Sequence, residues 1–143
     1  MKTRESVETY LETILTLQSR IGAVRSIDIA TELGYSRPSV SVAIGKLREQ
    51  SMIQVDAGGY ITLLAKGKEI AERITERHES LTLWLVNLGV PREIAEEDAC
   101  RIEHVISEES FLAMKNHARM MYGDYRKKKK ECSVQTSSPQ EAE

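Results

Sequence analysis

Hydrophobic residues recur at the spacing of an α-helix along most of this chain, and glycine, proline and serine interrupt the pattern between one stretch and the next. The first stretch carries its apolar stripe through Leu11, and the fourth carries its stripe through Ile74. In the last stretch, apolar positions such as Leu112 and Met121 have the spacing of core residues. The pattern predicts helices over residues 4–20, 27–33, 36–50, 65–87, 91–105 and 107–122.

The two short helices near the N-terminus have the form of a helix-turn-helix, because a tight turn with Gly34 separates them. Strand-like runs at 52–55 and 60–63 follow and flank the turn sequence at 56–59. A hairpin directly after the second helix makes the unit a winged helix. The alternative is a generic small helical domain with a hairpin.

The second helix of this pair begins with small polar residues and an arginine, which suits insertion of its N-terminal end into the major groove of DNA. Arg37 is the best candidate for a contact to phosphate or guanine. The predicted DNA-facing residues are Ser36, Arg37, Pro38, Ser39, Ser41 and Lys46.

Acidic side chains concentrate in the C-terminal half of the 143-residue chain, whose net charge is −2. Residues 67–125 hold twelve acidic and seven basic side chains, whereas residues 1–66 are almost balanced. Contacts of the N-terminal region with nucleic acid must therefore come from individual side chains in suitable positions and not from an excess of positive charge. The chain has no long apolar run of about 18 residues and no apolar leader at its start, so we expect a cytoplasmic protein.

One acidic segment, residues 96–104, combines three types of metal ligand. Cys100, Glu103 and His104 are three and four residues apart, so a helix brings them to one face. Thiolate, carboxylate and imidazole all bind divalent transition metals, and Glu96 lies one turn earlier. The alternative is an ordinary helix with a buried cysteine and solvated charges.

Several stretches resemble the diphtheria toxin repressor family of iron- and manganese-responsive bacterial repressors. The segment 98–107, with its sequence Asp-Ala-Cys-Arg-Ile-Glu-His-Val-Ile-Ser, is the most specific of them. The likeness covers roughly residues 4–123. The matching stretches are residues 8–14, 26–30, 36–41, 63–67, 77–79 and 98–107.

The resemblance implies a mainly α fold with a winged helix-turn-helix at residues 1–66 and a helical dimerisation and metal-binding domain at residues 67–125. It implies a homodimer that represses transcription by binding double-stranded operator DNA when a metal is bound. Without an ion, acidic groups of the first and fifth helices would repel one another and splay the DNA-reading domain. Carried over position by position, the implied metal ligands are Glu12, His78, Cys100, Glu103 and His104.

Two departures from the family pattern affect the choice of metal. Thr9 stands where the family has methionine or aspartate, so Glu8 or Glu96 would have to fill that place. The chain also lacks the extra SH3-like domain of the longer iron repressors, which points to the manganese subgroup. Cys100 points to iron, since a thiolate favours softer ions than Mn²⁺. We therefore expect Fe²⁺ first and Mn²⁺ next.

Other classes of function are less well supported by the sequence. A metalloenzyme is disfavoured because His78-Glu79 is not followed by a second histidine four residues on, and Gly-x-Ser-x-Gly is absent. A winged-helix regulator without a metal response is the alternative that remains. Residues 126–143, with four consecutive lysines and Cys132, have the composition of a disordered tail.

Overall fold

A computed structural model describes residues 2–123 of the chain, with side chains from residue 6 onward. The predicted tail at 126–143, including Cys132, lies outside the described residues. All six predicted helices are confirmed, with ends within two residues of those expected. The elements are α1 (Lys2–Ile21), β1 (Val24–Arg25), α2 (Ser26–Leu33), α3 (Arg37–Glu49), β2 (Ile53–Val55), β3 (Tyr60–Leu63), α4 (Ala65–Asn87), α5 (Arg92–Val105) and α6 (Glu108–Tyr122).

The helix-turn-helix is formed by α2 and α3, and its turn depends on two local devices. Gly34 takes the left-handed conformation (φ 66°) that ends α2. Ser36 then caps α3, because its hydroxyl oxygen accepts a hydrogen bond from the backbone N–H of Ser39 at 3.3 Å. The cap fixes the start of α3, which is the end expected to meet DNA.

The wing is a three-stranded antiparallel sheet with the order β1-β3-β2. The predicted hairpin of β2 and β3 is present, with Ile53 opposite Leu63. The two-residue strand β1 was not predicted, because two residues are too short to show an alternating pattern. It adds Arg25 to the sheet, directly opposite Tyr60.

The core of this region collects the apolar stripes of α1, α2 and α3 against the inner face of the sheet. Leu11, Ile29, Leu47 and Ile53 are among the residues that are almost completely buried. At the end of the wing, Gly67 of α4 packs directly on this core: a Cβ there would overlap the carbonyl oxygen of Met52. The helix α4 then continues past the domain boundary predicted at residue 66, packing against both α1 and α5.

The chain separates into two compact units, one up to Val105 and one from Ile106 onward. The second unit contains α6, which Ser107 caps by accepting a hydrogen bond from the N–H of Ser110 at 3.1 Å. The prediction that Leu112 and Met121 are core positions is wrong, since both are exposed. None of the helices within residues 2–123 is long and apolar enough to cross a membrane.

Candidate metal centre

Three helices of the first unit supply the predicted ligands: α1 carries Glu12, α4 carries His78, and α5 carries the other three. The buried positions of α5 are Ala95, Ala99 and Glu103, spaced four apart on one face. Two of these are small residues, so the carboxylate of Glu103 is turned inward and has no solvent-exposed surface. A fully buried carboxylate needs charged or hydrogen-bonding partners.

The predicted ligands meet around Glu103 in two adjoining groups. In one group, the ligand atoms of His78, Cys100 and Glu103 lie within 4.8 Å of one another, and in the other those of Glu12, Glu103 and His104 do. The Nδ1 atom of His78 is 2.8 Å from Oε2 of Glu103, and the Nε2 atom of His104 is 3.3 Å from Oε1. Glu103 therefore belongs to both groups and joins them.

The charges of this cluster are strongly interdependent. Burial and the neighbouring Glu103 carboxylate raise the pKa of Glu12 to about 8. Contacts with Cys100 and Glu103 raise the pKa of His78 to about 10, and contacts with Glu103 and Glu8 raise that of His104 to about 9. In the ion-free protein at neutral pH, His78 and His104 are therefore protonated and positively charged, while a proton on Glu12 makes that carboxyl group neutral.

Glu103 itself behaves in the opposite way. Burial alone would raise its pKa, but the contacts with His104, His78 and Glu12 outweigh burial and lower it. Glu103 is thus an ionised carboxylate inside the protein, and its Oε1 atom has no hydrogen-bond partner of good geometry among the described residues. One thiol, two imidazoles and two carboxylates around such an atom are a donor set that fits a divalent transition metal.

Glu8 and Glu96, the two predicted substitutes for the metal ligand that is missing at Thr9, lie in different surroundings. Glu8 is buried, and its Oε2 atom lies 3.0 Å from Nδ1 of His104, behind the ring and outside both groups. Glu96 lies on the exposed side of α5, where it accepts a hydrogen bond from Arg92 at 3.1 Å. The backbone carbonyl oxygen of Thr9 accepts a hydrogen bond from the hydroxyl of Thr13.

Two arginines of α4 that were not predicted as site residues border the cluster. Arg77 is 7% exposed, and its guanidinium donates a hydrogen bond to the backbone carbonyl of Glu103 at 3.2 Å. Arg73 lies 3.8 Å from the carboxylate of Glu8. The signal for Arg77 was present, because it falls on the buried stripe of α4 between Ile74 and Leu81.

On the winged helix, α3 buries Val40, Ile44 and Leu47, and Ala43 is half-buried against the same core. The predicted set left out an apolar neighbour on the exposed side of the helix, Val42, which is 60% exposed. All six predicted DNA-facing residues are exposed in the structure: Ser36, Arg37, Pro38, Ser39, Ser41 and Lys46.

Two family models match the chain, and together they cover most of it. Residues 2–57 match the N-terminal DNA-binding domain of iron-dependent repressors. Residues 64–124 match the metal-binding and dimerisation domain of the same repressors.

Individual relatives agree with these matches. The chain is 35% identical over 112 residues to the transcriptional regulator MntR of Escherichia coli, covering 78% of this chain and 72% of that protein. It is 30% identical over 106 residues to the iron-dependent repressor IdeR of Mycobacterium bovis, covering 73% of this chain and 46% of that one. A solved manganese-dependent transcriptional repressor in complex with manganese superimposes with a TM-score of 0.71 at 29% identity, covering 78% of this chain. The chain spans about half the length (51%) of that structure.

Proposed function

We propose that this chain, which belongs to the iron-dependent repressor family, represses transcription by binding operator DNA as a homodimer when it holds a divalent transition metal. The observation that supports this most directly is the position of Glu103. Its carboxylate is fully buried, ionised and shared by two groups of ligand atoms drawn from α1, α4 and α5. We assign the ligands to Glu12, His78, Cys100, Glu103 and His104.

Coupling between the metal site and the DNA-binding region follows from the path of α1. Glu12 extends from α1 towards Glu103, while the same helix packs against α2, α3 and the sheet. A bound cation supplies the positive charge that protons supply in its absence. The distance between Glu12 and Glu103 then determines the position of α1, and α1 determines that of the helix-turn-helix. A preference of a few kcal/mol for one arrangement changes DNA occupancy more than tenfold.

For the identity of the metal we favour Fe²⁺ over Mn²⁺. Cys100 contributes a thiol beside His78 and Glu103, and thiolates favour softer ions, whereas Mn²⁺ prefers carboxylate, carbonyl and water. The similar proteins that are named for a metal include both an iron-dependent and a manganese-dependent repressor. Glu8 acts behind His104 in this proposal, and Glu96 stays outside the site.

The DNA-reading surface is the exposed side of α3. Arg37 contacts phosphate or guanine, and the small residues Ser36, Ser39 and Ser41 allow close approach to the groove. Val42 adds an apolar contact that suits the methyl group of thymine.

A pair of matched variants on α5 tests the proposal. Glu103→Gln keeps the size of the side chain but removes the charge shared by both ligand groups, so metal should no longer stimulate binding to DNA from upstream of the chain's own gene. Glu96→Gln makes the same chemical change on the exposed side of the helix and should leave stimulation unchanged. Fluorescence anisotropy with and without Mn²⁺ measures both, and circular dichroism verifies folding.

Two results would contradict the proposal. Metal stimulation retained by Glu103→Gln would remove the assigned site. DNA binding by the unmodified protein that ignores metal and survives chelation would favour the alternative, a winged-helix regulator without a metal response.

A further inference from the structure

We propose that the hydroxyl of Thr82 in α4 holds a water molecule that completes the coordination of the ion at His78, Cys100 and Glu103. This inference deepens the proposed function and rests on it, since it assumes that an ion binds to these three side chains. Thr82 is a positioning residue here. It belongs neither to the assigned ligands nor to the residues expected to face DNA.

Buried side-chain oxygens without a hydrogen-bond partner of good geometry cluster around His78. Within the part of the chain that the structure describes, they are Oε1 of Glu103 and the hydroxyl oxygens of Thr75 and Thr82. The two threonines lie three positions before and four positions after His78, so both are within one turn of it on the same side of α4. An unpaired buried hydroxyl costs free energy, and a water or an ion that binds beside it removes that cost.

Thr82 is the more deeply buried of the two threonines, with 4% of its surface exposed. Threonines in other helices turn the hydroxyl towards the carbonyl of the preceding turn. The hydroxyl of Thr13 donates to Thr9 at 2.7 Å, and that of Thr31 donates to Ile27 at 2.9 Å. The hydroxyl of Thr82 makes no such bond, so it is available to a partner outside the backbone of its own helix.

The packing of α5 on α4 places Thr82 on the Cys100 side of the metal centre. Only the four residues 88–91 join the two helices, so they run antiparallel, and His78 lies against Glu103. Positions later in α4 therefore face positions earlier in α5. Thr82, one turn after His78, thus faces the part of α5 that leads up to Cys100.

That part of α5 offers the hydroxyl of Thr82 no partner. Its buried residues are Ala95 and Ala99, and a methyl group neither donates nor accepts a hydrogen bond. Their small size also leaves the hydroxyl uncovered by a larger side chain. A small polar molecule between the helices is the partner that suits such a place.

The chemistry of the ion supplies that molecule. Three protein ligands leave at least one position of a transition metal open, and water commonly fills it. A hydroxyl can both donate to and accept from such a water, so Thr82 can fix its position without adding charge. Hydrogen-bond partners just outside the ligands typically change metal affinity by about 10-fold to 100-fold. The hydroxyl that is unpaired in the ion-free protein is then paired in the loaded one.

The test compares Thr82→Val, Thr82→Ser and Thr31→Val in the full-length protein titrated anaerobically with Co²⁺, without DNA. Valine keeps the shape of threonine and removes the hydroxyl, whereas serine keeps the hydroxyl. Thr31 is exposed on α2, which carries no assigned ligand, so Thr31→Val makes the same chemical change away from the metal centre. Co²⁺ is the probe because its absorption reports both the bond to Cys100 and the number of ligands.

For Thr82→Val we expect the affinity for Co²⁺ to fall about tenfold. The d–d absorption should become more intense, because loss of the water lowers the coordination number, while the thiolate-to-Co²⁺ charge-transfer band remains. The urea midpoint of the ion-free variant should be equal to or higher than that of the unmodified protein, because an unpaired hydroxyl is removed. Thr82→Ser and Thr31→Val should keep the affinity and the spectrum of the unmodified protein.

Unchanged affinity and spectrum in Thr82→Val would overturn the inference. An equal loss of affinity in Thr82→Ser would also overturn it, since the hydroxyl would then not be the group responsible, and so would the absence of a charge-transfer band in the unmodified protein. Failure of the proposed function gives a different result, in which metal binds but does not stimulate binding of the unmodified protein to DNA.

Discussion

Glu103 is the negatively charged group at the centre of the ligand cluster, and positively charged side chains surround it. Its carboxylate is between the imidazoles of His78 and His104, and its backbone carbonyl accepts a hydrogen bond from Arg77. A buried negative charge is tolerated here because three cationic side chains surround it. A metal ion can replace the protons of the two imidazoles without leaving the carboxylate unpaired.

Glu8 has a distinct role in this arrangement. With its Oε2 atom 3.0 Å from Nδ1 of His104, it can fix the orientation of the ring while Nε2 faces Glu103. We expect Glu8→Gln to lower metal affinity about 10-fold to 100-fold without abolishing binding. Competition with a fluorescent chelator measures this, and an affinity equal to that of the unmodified protein would contradict the role.

The raised pKa values predict how the ion-free protein responds to pH. The folded protein keeps protons on His78, His104 and Glu12 up to pH values of about 10, 9 and 8, whereas the unfolded chain releases them near the ordinary values. Their contribution to stability is therefore greatest at low pH and is lost as pH rises through this range. The lowered pKa of Glu103 stabilises the folded protein at every pH above the ordinary value of a glutamate, and this contribution is lost only as pH falls below that value.

We therefore expect the urea midpoint of the chelator-treated protein to be lower at pH 9 than at pH 6. Bound metal should reduce this difference, because the ion replaces the protons, and should release protons on binding at pH 7. A midpoint that rises from pH 6 to pH 9 in the absence of metal would contradict the electrostatic description.

At the scale of the elements, α4 depends on Gly67 for its fit to the winged helix. Alanine is normally better than glycine inside a helix by about 1 kcal/mol. At Gly67, however, a Cβ would overlap the Met52 carbonyl oxygen and come within 3.2 Å of Leu11. We expect Gly67→Ala to destabilise the protein by about 1–3 kcal/mol.

Gly45 of α3 provides the control for that substitution. A Cβ there has no neighbour within 4 Å, so Gly45→Ala should stabilise the protein slightly. Urea unfolding of both variants measures the difference, and equal effects would show that the close approach at Gly67 is unimportant for stability.

The helices were predictable because each has a long apolar stripe and a recognisable end, such as the Ser36 cap of α3. The strand β1 was not, since its two residues are defined by pairing with β3. The apolar residues of α6 do have helical spacing, yet Leu112 and Met121 are exposed. Helical spacing shows that residues share one face of a helix, but it does not show whether another element packs on that face.

For the whole molecule, the sequence could suggest acids for the metal site but could not choose between Glu8 and Glu96. Their positions are set by how α4 packs against α1 on one side and α5 on the other, which no local pattern encodes. The family resemblance supplied His78 and Glu12, and the structure brings both to Glu103. The contact between Arg25 and the Tyr60 ring was not predicted, because the two residues lie far apart along the sequence.

The central claim is that a metal at the Glu103 cluster controls binding to DNA. The most direct test is an anaerobic titration of the unmodified protein with Fe²⁺ and, separately, Mn²⁺, following anisotropy of DNA from upstream of its gene. We expect either ion to increase affinity at least tenfold, Fe²⁺ to act at the lower concentration, and a chelator to reverse the effect. Binding of equal strength with and without both ions would contradict the account.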